Sequence, residues 1–225
     1  MKETVDFLRR LEANNNRVWF NEHKEEFLKI QERFYQFTEE LINEIALFDS
    51  SVRGLNAKDC TYRIYRDIRF SEDKRPYKHH LGAFICPGGK KSGYSGYYFH
   101  VSTGGADNYP DAHMLAVGDY CFTPQVLKIL REDICNGEGD FKETLRIASP
   151  EFKLDTEGAL KRNPKGFPTD APYSEYLRLK SYCLCYMPDE SFIYKENLAS
   201  RVAALFRTTK PFLDYLNRAI KYANE

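Results

Sequence analysis

No stretch of the sequence approaches the roughly 18 consecutive apolar residues that a membrane-spanning helix requires, so no membrane partner is expected. A net charge is missing too. Lys plus Arg and Asp plus Glu each number 33, which leaves no whole-molecule field to draw in DNA or an anionic bilayer. No Gly-, Ser- or Pro-rich linker interrupts the 225 residues, and one domain over 1–225 is expected. The opening residues, Met1, Lys2, Glu3, Thr4, Val5 and Asp6, lack the apolar core of an export signal. A cytoplasmic location and reduced thiols at all six cysteines follow as expectations. None of those cysteines is spaced C-x-x-C. The motifs that announce a nucleophile, a nucleotide loop or a zinc site (G-x-S-x-G, the P-loop, G-x-G-x-x-G, H-E-x-x-H) are all absent. No cofactor is implied, no metal ligands are assigned, and whether the chain is an enzyme stays open.

What is present is an ordinary globular balance, 42% hydrophobic and 29% charged, with 16 Tyr and 16 Phe to supply aromatic packing. Residues 1–50 read as helical. Val5, Leu8 and Leu11 mark a short helix ended by Asn14, Asn15 and Asn16, and Phe27, Ile30, Phe34, Phe37, Leu41 and Ile45 form a stripe at helical spacing. Over 60–120 the period changes to two. Strands are expected over 62–70, 80–86, 97–103 and 114–120, joined by turns without helices. Residues 121–225 are mixed, with Thr123 and Pro124 opening one helix, Asp140 capping another, a strand over 182–187 and a helical C-terminus. The fold class is therefore α+β, a largely antiparallel central sheet packed by N-terminal and C-terminal helices.

Charge is uneven locally. Residues 61–80 carry six basic and three acidic side chains. Arg63, Arg66 and Arg69 sit three apart; in a strand Arg66 takes the face opposite the other two and needs a partner, with Asp67 and Asp73 the nearest. Ser71 and Asp73 can bend the chain and Pro76 stiffens its exit, presenting Lys74 and Lys78 beside Tyr77. Guanidinium forks and ammonium groups of this kind suit phosphate or carboxylate. The competing reading is an internal Arg–Asp–Tyr network that ties sheet to helices. A second basic loop, holding Lys161 and Lys165 among prolines and Gly166, is a candidate to meet the first in space.

The run R-D-I-R-F-S-E-D-K-R-P-Y-K over residues 66–78 carries a resemblance, supported by Asn14, Asn15, Arg17, Trp19, Phe20 and Lys24 before it, and by residues 96–100, 160–167 and 177–180 after it. With these the chain resembles the family called domain of unknown function 2461 over nearly its whole length. The resemblance implies an α+β fold and a soluble intracellular protein, and no reaction. A departure lies in the glycine-rich stretch from Gly104 to Tyr109.

Three functions compete. In an enzyme or binding protein for a small anion, Arg63, Arg66, Arg69, Lys74, Tyr77, Lys78, Lys161 and Lys165 hold the ligand. Asp67 or Asp73 then acts as base or orients an arginine, and His100 is a candidate acid or base. In a nucleic-acid or phosphoprotein module, the same cations interleave with Tyr62, Tyr65, Phe70 and Tyr77. In a structural or partner-binding protein, the charges are internal glue. His79 and His80, adjacent in a strand, point to opposite faces and form no ready metal pair.

Overall fold

Apolar residues three and four apart turn the first fifty residues into three helices. In the computed structural model, which describes residues 1–104, 110–137, 141–171 and 173–225, these are α1 (Lys2–Ala13), α2 (Arg17–Glu22) and α3 (Lys24–Ala46). Every residue of the expected α3 stripe is buried. The Asn cluster ends α1, and Asn16 then caps α2 by accepting from the Trp19 amide. Beyond a 3-10 turn at Ser50–Val52 come α4 (Ala57–Cys60) and the strands β1 (Leu81–Ile85), β2 (Gly96–Val101) and β3 (Met114–Asp119). Then follow α5 (Pro124–Asn136), α6 (Phe141–Ile147), β4 (Lys153–Leu154), α7 (Ser174–Leu177), β5 (Tyr182–Tyr186), α8 (Glu190–Ile193), α9 (Leu198–Thr208) and α10 (Lys210–Asn224). Asp140 and residues 105–109 lie outside the described residues.

The five strands form one antiparallel sheet in the order β1-β2-β3-β5-β4. Alternation splits its side chains between two faces. Ala83, Ile85, Tyr97, Phe99, Leu115 and Val117 share one face and are buried. Helices cover it: Phe34 and Phe37 of α3 pack on Phe99, and Phe206 of α9 packs on Tyr97. The other face carries Gly82, Phe84, Tyr98, His100 and Ala116. Gly118 sits at φ +125°, and a Cβ there would come 2.0 Å from the Tyr182 carbonyl oxygen, so only glycine permits this approach of β3 to β5.

One expected strand is not formed. Residues 62–70 alternate in sequence, but the segment holds only isolated bridges, Thr61 to Ala83 and Tyr65 to Tyr77. Tyr62 is exposed, Ile68 is half-buried and Phe70 is 96% exposed. The cause is local. The Asp67 and Asp73 carboxylates accept from the amides of Arg69 and Arg75, turns that compete with strand pairing, and Pro76 has no amide to donate. What remains is a short irregular hairpin. In it the Arg66 amide donates to the Pro76 carbonyl and the Lys78 amide to that of Ile64, while the Tyr62 amide fastens the hairpin to β1 at Gly82.

Candidate functional site

The irregular hairpin is held against the N-terminal helices by two devices. Asn15, in the turn between α1 and α2, bonds the Tyr77 backbone twice: its amide donates to the Tyr77 carbonyl at 2.9 Å and its carbonyl accepts from the Tyr77 amide at 3.1 Å. Phe20 of α2 stacks on the Tyr77 ring at 3.9 Å between centroids and also packs on Phe27 of α3. Phe20 thus anchors the hairpin to the long helix, while Trp19 stacks on His23.

Between α2 and the hairpin lies a cleft of about 330 Å³ lined by Arg17, Asn21, Tyr65, Arg66, Ile68, Pro76 and Tyr77. That volume suits a small ligand. Its cations differ in how they are held. Arg66 donates to Asp73 at 2.7 Å and to the Arg75 carbonyl at 3.0 Å, with Ser71 Oγ 3.4 Å away. Arg17 makes no hydrogen bond or salt bridge among the described residues, lies exposed at the first turn of α2, and is close enough to Tyr77 to favour its ionised form. Burial nonetheless raises the Tyr77 phenol above its ordinary value.

The remaining expected residues fall into groups. Arg69 is gripped by both oxygens of Asp67, at 2.9 and 2.7 Å, and Lys74 donates to the Ile68 carbonyl. Arg63 makes no hydrogen bond or salt bridge among the described residues. It stands near Lys78, whose pKa is lowered first by burial and then by that arginine, and Lys78 lies 5.5 Å from the Tyr62 ring. Asp73 is held well below the usual carboxylate range, first by Arg75 and also by Arg66; Asp67 is lowered by Arg69. A base is most effective with a pKa near the working pH, so these carboxylates are suited to orienting arginines.

His100 does not line this cleft. It is fully buried, its Nδ1 accepts from the Tyr98 hydroxyl at 2.9 Å, and its Nε2 donates to the Pro110 carbonyl at 3.0 Å. Its ring stacks on His80 at 4.4 Å, and burial lowers the two histidines to about 3 and about 2 respectively. The second basic loop is also elsewhere. Lys161 and Lys165 are exposed, and Lys165 lines a separate cleft of about 260 Å³ against Lys128, Glu132 and Cys135 of α5, which shares no residue with the first. All six cysteines are free thiols.

Sequence reasoning gave no role to Arg17, whose only signal was its place in the family-like pattern. It also missed a cluster behind the hairpin. Glu12 near the end of α1, His79 just after the hairpin and Asp111 before β3 bring one ligand atom each within 4.8 Å of one another. His79 Nε2 is 2.5 Å from Asp111 Oδ1. This is the group of described residues able to hold a metal ion.

No described helix is long and apolar enough to cross a membrane. Comparisons with curated proteins and with solved structures find no match. Residues 3–215 do match the family model described as conserved hypothetical protein (DUF2461), and over that span, hairpin and cleft included, the chain belongs to the DUF2461 family.

Proposed function

We propose that the cleft between α2 and the hairpin binds a small phosphate- or carboxylate-bearing molecule. The observation that carries this reading is Arg17: a guanidinium with no carboxylate of its own, on the wall of a concave site whose other arginine, Arg66, is already braced by Asp73. Tyr65 and Tyr77 supply flat apolar surface beside it, and Asn21 supplies an amide. The braced arginine positions while the free one receives charge. Inorganic phosphate, pyrophosphate and a nucleoside monophosphate, titrated calorimetrically, test this. At least one is expected to bind saturably, and Arg17→Ala to abolish that binding with the melting temperature unchanged. Equal binding by Arg17→Ala, or none by the unaltered chain, overturns the reading.

Phe70 favours a second reading. A phenyl ring 96% exposed at the hairpin tip, with the Arg69 guanidinium 5.8 Å from its centroid and Tyr65 half exposed nearby in sequence, is suited to stacking on a base. A single-stranded nucleic acid across the hairpin would bind with a steep fall in affinity as salt rises, and Phe70→Ala would weaken it; a pocket ligand would be insensitive to Phe70.

A further inference from the structure

We infer that Glu12, His79 and Asp111 form a binding site for a divalent first-row transition-metal ion. The three come from α1, from the segment leaving the hairpin and from the loop entering β3, so no sequence spacing announces them. Their ligand atoms, one imidazole nitrogen and two carboxylate oxygens, all lie within 4.8 Å of one another. An ion about 2.1 Å from each ligand needs neighbouring ligand atoms about 3 to 4 Å apart, so small side-chain rotations close the set on a cation.

Charge points the same way. Glu12 is half-buried and makes no hydrogen bond or salt bridge among the described residues. Asp111 has His79 as its partner. Arg75 is in electrostatic reach of both carboxylates, and it is already bound to Asp73. Two negative charges are thereby set side by side with no committed counter-charge, and a dication meets that need in one step. The His79 side chain is 9% exposed, so its Nε2 is directed at the carboxylates by packing. The backbone is braced around it: the Ser102 hydroxyl lies 2.7 Å from the Pro110 carbonyl and 3.3 Å from that of His79, and the Asn15–Tyr77 pair fixes α1 to the hairpin two residues before His79.

An imidazole with two carboxylates suits Mn²⁺, Fe²⁺ or Zn²⁺ better than Ca²⁺ or Mg²⁺, which prefer all-oxygen shells. Three protein ligands leave further coordination positions for water or a guest. None of the three ligands lines the anion cleft, so the assignment stands apart from the reading of that cleft.

The test uses the full chain stripped of metal by a chelator, with free Mn²⁺ followed by electron paramagnetic resonance. Mn²⁺ is the probe because it has little affinity for the exposed thiol of Cys121. One Mn²⁺ per chain is expected, displaced by Zn²⁺. Glu12→Gln and Asp111→Asn are each expected to weaken it by about ten-fold or more, and Arg17→Ala to leave it unchanged. Glu12→Gln removes no hydrogen bond, so its fold is preserved even where a His79 variant fails. No saturable Mn²⁺ binding by the unaltered chain, or equal binding by Glu12→Gln, overturns the site.

Discussion

Arg66 and Arg17 line one cleft, yet their removal should read out differently. Arg66 is three-quarters buried and donates to a carboxylate and to a main-chain carbonyl within its own hairpin. Truncating it leaves Asp73 with Arg75 alone and the Arg75 carbonyl without its guanidinium donor. Arg66→Ala is therefore expected to lower stability by about 1 to 2 kcal/mol in urea unfolding, and to weaken phosphate binding as the hairpin loosens. Arg66→Lys should restore only part of this, because one ammonium can meet the Asp73 and Arg75 acceptors that Nη1 serves but not also Ser71 Oγ, 3.4 Å from Nη2. A variant as stable as the parent would show the hairpin to be held by other contacts. Sequence made the need for an Arg66 partner legible, since a guanidinium on the inner side of an alternating run must be neutralised. It could not separate Arg69, which is tied to Asp67, from Arg17, which is not, because chain order does not say which guanidinium meets a carboxylate in three dimensions.

Among the elements, periodicity located those that pack by repetition. The α3 stripe and strands β1, β2, β3 and β5 fall where apolar residues recur at helical spacing or alternate between turns. It failed at residues 62–70, where an alternating pattern exists but Asx turns and a proline prevent a ladder, and at two-residue β4, too short to show a period. The short helix α2 was also missed, and it forms one wall of the cleft. Two contacts join α2 to the hairpin, the Phe20–Tyr77 stack and, from the turn before α2, the Asn15 amide side chain. Asn15→Ala removes two partly buried hydrogen bonds and should cost about 1 to 3 kcal/mol. It should also reduce phosphate affinity, although Asn15 lines no part of the cleft, because it fixes the distance between Arg17 and Tyr77. Calorimetry and urea unfolding on the same variant check both effects. Lost stability with unchanged affinity would place the wall's rigidity in the Phe20–Tyr77 stack instead.

Across the whole molecule, the sheet separates two environments. One face is aromatic and packed by helices; the other ends in a buried group of histidines beneath the hairpin. This division makes stability depend on pH in a definite direction. Burial lowers His80 to about 2 and His100 to about 3, and it lowers His113 as well. In the unfolded chain a histidine takes up its proton near pH 6.5. Below that value the unfolded state binds protons that the folded state refuses, so stability falls as pH falls, approaching about 1.4 kcal/mol per pH unit for each of His80 and His100. The fall continues until the folded-state values near 3 are reached. Asp67, Asp73 and Glu190, all lowered by arginine or hydrogen-bond partners, contribute in the same direction only at more acidic pH, as they begin to protonate in the unfolded chain. Between pH 6.5 and 5.5, above the range in which these three lowered carboxylates act, a loss of about 2 kcal/mol is expected from His80 and His100. Urea midpoints across that interval measure the loss, and ring chemical shifts of the folded protein assign it. His100 should stay neutral to below pH 4 with its Nε2 proton held on the Pro110 carbonyl; a ring titrating near pH 6.5 in the folded chain would mean that water reaches this end of the sheet.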